Sequence, residues 1–296
     1  MASNIGWELY RSFLGVLTEG SLSGAARALG ITQPTVGRHV AALEQSLGLV
    51  LFTRSQAGLM PTEAALSLRA HAEAMNSTAA ALERAAGSLG GDGVVKGTVR
   101  VSCADVMGIE VLPPILARLR EAHPQLRVEL VLTDRVQDLL KREADIAVRM
   151  VQPKQEQLVA RRIGSIELGM HARPEYLERH GRPRRPEDLA AHALIGYDQP
   201  SAWVRQAEKS LGGIRREMFH LRTDSNVAQL ALIRAGAGLG MCQVPLARRD
   251  GLVRVLPMIR LPLETWVTMH EDLRASPRCR VAFDALAEGL ASYLAA

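Results

Sequence analysis

Residues 21–48, SLSGAARALGITQPTVGRHVAALEQSLG, hold two apolar rhythms of helical period separated by a single Gly-Ile step. So short a connection forces the two helices to pack on each other. Ser21 or Ser23 offers an N-cap for the first helix and Gly30 a stop. Thr32 or Gln33 caps the second, and Pro34 falls in its first turn, where a missing N–H costs nothing. Val36, Val40, Leu43 and Leu47 form its buried stripe, and Gly48 ends it. The small pair Ala25 and Ala26 lets the first helix come close to the second, which makes this a helix-turn-helix pattern. Leu9, Phe13, Val16 and Leu17 mark a supporting helix upstream, and LVLFTRSQAGLMP, broken at Gly58, reads as a two-stranded wing downstream.

From Pro61 to about Gly90 the pattern is one long helix, opened by Thr62 as N-cap with Glu63 in the first turn and ended by the glycines of GSLGGDG. Leu68, Met75, Leu82 and Leu89 recur every seven residues, each preceded by three positions by Ala65, Ala72, Ala79 or Ala86. This heptad seam favours a partner helix and close approach; the alternative is an amphipathic helix packed on its own domain.

The remainder alternates strands (VKGTVRVS, LRVELVL, ADIAVRM, ALIGYD) with helices (DVMGIEVLPPILARLREAH, SNVAQLALIRAG), an α/β pattern with room for two small sheet domains and a cleft. In such sheets a ligand sits beyond the carboxyl ends of the strands. The N-terminus lacks the profile of a secretory signal and no window suggests a membrane span, so a cytoplasmic protein without membrane partners is expected. A net charge of +5 hints at a polyanionic partner, but residues 1–60 hold four arginines against three glutamates, so charge alone does not identify one. Cys103, Cys242 and Cys279 fit neither a disulfide framework nor a zinc site, and neither HExxH nor GxSxG occurs, so no metal, cofactor or catalytic constellation is expected. AGAGLG at 235–240 lacks the last glycine of GxGxxG and reads as a tight helix-to-strand turn.

Residues 13–65, together with GTVRVS, VLPPILARLREAHPQLRVEL, DIAVR, RPEYLERHGRPRRPEDLAAH, AGAGLGM, LVRVLP and TWVTMHEDLRASPRCRVAFDAL, resemble the LysR-type transcriptional regulators over nearly the whole chain. The resemblance implies an all-α winged helix-turn-helix at 1–61, a linker and dimerisation helix at 62–92, and an α/β effector domain at 93–296. That domain would comprise two periplasmic-binding-protein-like subdomains, I at about 93–164 and 268–296 and II at about 165–267. The implied protein binds promoter DNA as a homo-oligomer, usually a dimer of dimers, and takes a small-molecule effector in the interdomain cleft. A free solute-binding protein and an α/β enzyme are the competing classes. The helix-turn-helix argues against the first, and no catalytic constellation supports the second.

Matched residue by residue, Gln33, Pro34, Thr35 and Arg38 fall at DNA-facing positions of the recognition helix, joined by Ser23, Arg27 and Thr32, with Arg54, Ser55 and Thr62 on phosphates. Gln33 carries an amide suited to adenine, Thr35 a methyl suited to thymine, and Arg38 reaches guanine or phosphate. Gly37 departs from the serine common in the family, and the wing after Arg54 is poor in charge. By the same resemblance Ser102, Asp105, Thr133 and Arg149 line the cleft from one lobe and Tyr197, Trp203 and Thr223 from the other. Arg149 either pairs with a carboxylate, making the effector anionic, or forms a salt bridge to Asp145 or Asp105. The cysteine pair of the family's peroxide sensors has no match here, so Cys103 is read as packing.

Overall fold

The computed structural model describes residues 5–55, 58–86, 94–133, 143–153, 155, 157–199 and 214–295. The chain forms two compact units, one from the chain up to Ala86 and the other from most of the remainder. Among the described residues no helix is long and apolar enough to cross a membrane.

The first unit opens with three short helices, α1 (Trp7–Glu19), α2 (Leu22–Leu29) and α3 (Gln33–Leu47). Ser21 rather than Ser23 caps α2, its hydroxyl accepting from Gly24 N at 3.0 Å, and Thr32 rather than Gln33 caps α3. Gly20, Gly30 and Gly48 end the helices in the left-handed region, where a side chain would be strained. Ala25 and Ala26 pack with Val16, Val36 and Val40, so the small pair supplies the close approach between helices. Strands β1 (Phe52–Ser55) and β2 (Gly58–Pro61) form the wing hairpin. Helix α4 (Glu63–Ala86) follows, with Ala65 N donating to the Thr62 hydroxyl at 3.2 Å.

The second unit is built on a six-stranded sheet. Its strands are β3 (Gly97–Cys103), β4 (Leu126–Leu132), β5 (Ile146–Arg149), β6 (Leu158–Ala172), β9 (Gly240–Gln243) and β10 (Val253–His270), in the order β4-β3-β5-β10-β6-β9. β3 runs parallel to β4 and β5, while β10 is antiparallel to β5 and β6. The long pair β6 and β10 carries the sheet from β5 at one end to β9 at the other, with a register shift at Thr265/Trp266. A second, two-stranded sheet pairs β7 (Leu194–Gly196) with β8 (Phe219–Arg222) in parallel. Around these lie α5 (Leu112–Ala122), α6 (Pro174–His180), α7 (Asn226–Arg234), α8 (Val244–Arg249) and α9 (Pro277–Ala295). Residues 105–122 are helical throughout, as expected of one helix, with a wide π-helical turn at Met107–Val111 leading into α5, where Pro113 and Pro114 have no N–H to continue the regular ladder. Helix α9 crosses α5 at Gly289, where an added Cβ would stand 2.6 Å from Ile115 Cγ1, so only glycine permits this contact.

Candidate nucleic-acid interface and ligand cavity

Helix α3 buries Val36, Val40 and Leu43 against its neighbours and exposes Pro34 and Arg38 on the opposite face, with Gln33 exposed in its first turn. Its orientation is set at two points. The Ser12 hydroxyl and His39 Nδ1 hydrogen-bond at 2.8 Å, and Glu44 Oε1 accepts the backbone N–H groups of Leu51 and Phe52 at 2.7 and 3.2 Å, tying the helix to the wing. On the exposed side the hydroxyls of Thr32 and Thr35 lie 2.8 Å apart, and Arg38 Nη2 donates to Thr35 Oγ1 at 3.4 Å. The helix N-terminus therefore presents amide, hydroxyl and guanidinium groups together to solvent, the chemistry that reads base edges and phosphates. Of the other candidates, Arg27 is exposed on α2, Ser23 is half-buried, and Arg54 and Ser55 lie in β1. The Thr62 hydroxyl is already engaged, donating to Val50 O at 2.8 Å while capping α4.

Gly37 has open space around it: an added Cβ would meet only Leu22 Cδ1, at an ordinary 3.8 Å. Its helical backbone accepts a side chain, so Gly37→Ala is expected to stabilise the first unit by about 1 kcal/mol. A raised thermal midpoint checks this, and a lowered one would contradict it.

The heptad seam of α4 divides in two. Ala65 and Ala72 are buried within their own unit beside Phe13, Leu17, Leu43 and Leu51, with Leu68 packed against the same cluster. These three positions pack on the domain's own core, the alternative reading of the seam. Beyond Ala72 the pattern changes: Met75 is 40% exposed and Leu82 72%, with Ala79 half-buried and Ala86 exposed. Leu89 lies outside the described residues.

Within the second unit a cavity of about 650 Å³ opens between β5, β7, β9 and the N-terminal part of α7. Arg149 and Tyr197 line it; Trp203 lies outside the described residues. Ser102, Asp105, Thr133 and Thr223, also expected at the cleft, are not among the described residues that line this cavity. Ser102 is wholly buried and accepts from Arg149 Nη2 at 2.8 Å, so it orients the guanidinium from behind. Thr133 N bonds to Cys103 O, extending the ladder of β3 and β4, and the Thr223 hydroxyl accepts from Ser225 N. After β3 it is Ala104, Val106 and Met107 that face the space rather than Asp105. Of the two acids considered for Arg149, Asp145 accepts the backbone N–H of Arg100 at 2.9 Å.

Sequence reasoning missed Asp224, Asn226, Gln229 and Gln243 on the wall. Their positions at a loop, a helix start and a strand end carried no motif, although strand-end placement was a usable signal for Gln243. The wall is otherwise dominated by aliphatic and thioether side chains. Burial pushes the Cys242 thiol up to about 12, so it lines the cavity protonated, and burial also pushes His171 behind it down to about 4.

Two family models match the chain: "Bacterial regulatory helix-turn-helix protein, lysR family" over residues 7–66 and "LysR substrate binding domain" over residues 92–291. The HTH-type transcriptional regulator CrgA of Neisseria meningitidis is 32% identical over 289 residues, covering 95% of this chain and 96% of that protein. The probable HTH-type transcriptional regulator LtrA of Klebsiella pneumoniae is 28% identical, covering 93% and 92%. Among solved structures, CrgA aligns with a TM-score of 0.59 at 26% identity, covering 96% of this chain and 98% of that one. CbnR complexed with its target DNA shares the fold, with a TM-score of 0.66 at 19% identity over 97% and 99%. With both family models matched and a relative aligned from end to end, the chain belongs to the LysR family of DNA-binding transcriptional regulators and is not an enzyme.

Proposed function

We propose that this regulator binds operator DNA through the N-terminal face of α3 and that a small organic effector in the cavity changes the geometry of its oligomer. The observation that carries the reading is the contrast on α3 itself. Its buried side is committed to Val36, Val40 and Leu43, while Gln33, Pro34 and Arg38 stand exposed at its N-terminal end with Thr35 half-buried among them. That CbnR, which shares this fold, is complexed with its target DNA supports DNA as the partner. Ser23, Arg27, Arg54, Ser55 and Thr62 contribute phosphate contacts around the reading helix, and such contacts fix register without carrying sequence information. The second half of α4, with Met75, Ala79, Leu82 and Ala86, supplies the contact between copies, assembled as a dimer of dimers. The linker is residues 62–92, between a DNA-binding domain at 1–61 and an effector domain at 93–296.

The effector shifts the oligomer only by binding its two arrangements unequally. Arg149 is the one cation among the described cavity-lining residues, and an acidic group on the effector would sit against it.

Incubating the full chain with promoter fragments over a salt series tests the DNA reading; absence of a sequence-preferring shift at moderate salt would sink it. Arg38→Ala should weaken operator retention at least about tenfold while leaving the oligomer mass unchanged. Retention equal to the parent would remove Arg38 from the contact set.

A further inference from the structure

We infer that Gln243 is a polar anchor of the cavity in addition to Arg149, donating its amide N–H to an oxygen acceptor on an effector with an apolar, ring-bearing body, and that Tyr293 is the residue that positions it. This rests on reading the cavity as the effector site.

The wall draws Met107, Met150, Met170 and Met241 into one space, together with aliphatic side chains and Phe219. Thioethers are polarisable and adapt their shape to flat rings. A sugar or an amino acid would bury many polar groups there with few partners, at a cost of roughly 1–3 kcal/mol for each one left unmatched. The body of the ligand is therefore apolar.

Most polar groups on the wall are already used by the fold. Asp224 accepts the backbone N–H groups of Asp198 and Gln199 at 3.0 and 2.9 Å. The Tyr197 hydroxyl donates to Asn226 Oδ1 at 2.6 Å, and Gln229 Nε2 donates to Thr223 O at 2.8 Å. Gln243 differs. It is only 6% exposed, and its Oε1 accepts from the Tyr293 hydroxyl at 2.7 Å, which fixes the amide with Nε2 on the other side. The partner of Nε2 is a sulfur, Met107 Sδ at 3.6 Å. An amide N–H facing a thioether in place of an oxygen is a buried donor poorly matched. Met107 has the rotamer freedom to withdraw, and a ligand oxygen entering its place would complete the hydrogen bond. Burial keeps the Tyr293 phenol protonated, so it continues to donate to Oε1 and the amide keeps its orientation. The effector class that fits is a lipophilic ring compound bearing a carbonyl, carboxylate or phenolic oxygen. An ammonium group would set donor against donor.

The test is titration calorimetry on the full chain with acetylnaphthalene and ethylnaphthalene, probes of like size that differ in the carbonyl oxygen. The parent should prefer acetylnaphthalene by about tenfold, the worth of one good hydrogen bond. Gln243→Leu should lose that preference while keeping its affinity for ethylnaphthalene. Should the leucine variant fail to fold, Gln243→Met, which keeps the side-chain length and lacks any N–H or O–H donor, must show the same loss. Tyr293→Phe should reduce the preference severalfold and leave ethylnaphthalene binding unchanged; an unaltered preference would overturn its positioning role. Equal binding of both probes to the parent overturns the Gln243 anchor and leaves the cavity standing as a ligand site. Binding of neither overturns the reading of the cavity itself.

Discussion

Glu110→Gln is expected to cost the second unit about 3 kcal/mol at neutral pH, and much less as the pH approaches 2. Glu110 sits in the turn at Met107–Val111, with its side chain 12% exposed, and faces two arginines. Arg234 donates to its two oxygens at 2.7 and 2.8 Å, and Arg249 adds a close contact to Oε2. Asp250 closes the square, taking Arg234 Nη2 at 2.7 Å and Arg249 Nε at 3.2 Å. The hydrogen bond from Arg234 outweighs burial and holds the Glu110 carboxyl down at about 2, against an ordinary 4.5. Arg249 is nearly half exposed, so solvent screens its share and Arg234 is the main partner. A carboxyl held below its unfolded value stabilises the fold fully above about pH 4.5 and loses that contribution as the pH falls toward 2. Urea titrations of parent and variant at pH 7 and pH 3 therefore separate charge from packing. A deficit that shrinks with acid supports the network, while the same deficit at both values would show that only packing was lost. The square also joins three parts of the cavity wall, since the turn carries Met107, α7 carries Leu230 and α8 carries Leu246.

What was legible in the residues was what local chemistry decides. Thr32, Pro34 and Gly48 specify α3 because a cap, a first-turn proline and a left-handed stop act within a few residues of themselves. Strands β3, β4 and β5 of the six-stranded sheet follow the same logic, with Ile146, Ala147 and Val148 of β5 buried as a continuous apolar run predicts, whereas β6, β9 and β10 were not read as strands. The cavity was legible only in part. Arg149 and Tyr197 reach it, yet Asp105 does not while its neighbours Ala104 and Val106 do, because the turn after β3 decides which side chain faces inward. Gln243 gains its meaning from Met107 and Tyr293, separated from it by 136 and 50 residues, a juxtaposition that no local pattern encodes.

The seam of α4 was legible as an apolar stripe but not as to its occupant, and one substitution made at two of its positions separates the alternatives. Ala72 is 3% exposed among Phe13, Leu17 and Leu43. Ala72→Glu must overpack that cluster and leave a carboxylate without water, an expected loss of about 3 kcal/mol or more from the first unit. Leu82 is 72% exposed, so the same glutamate there should change the stability of the single chain by less than about 0.5 kcal/mol. Set against its copy across a helix pair, however, it places like charges in what would be an apolar contact. Hydrogen exchange over α1 to α3 should rise sharply in the Ala72 variant and stay at the parent's level in the Leu82 variant. Light scattering should show smaller species for Leu82→Glu. An unchanged mass there would take the exposed half of the helix out of the oligomer, and unaltered exchange for Ala72→Glu would contradict the packing of α4 on α1.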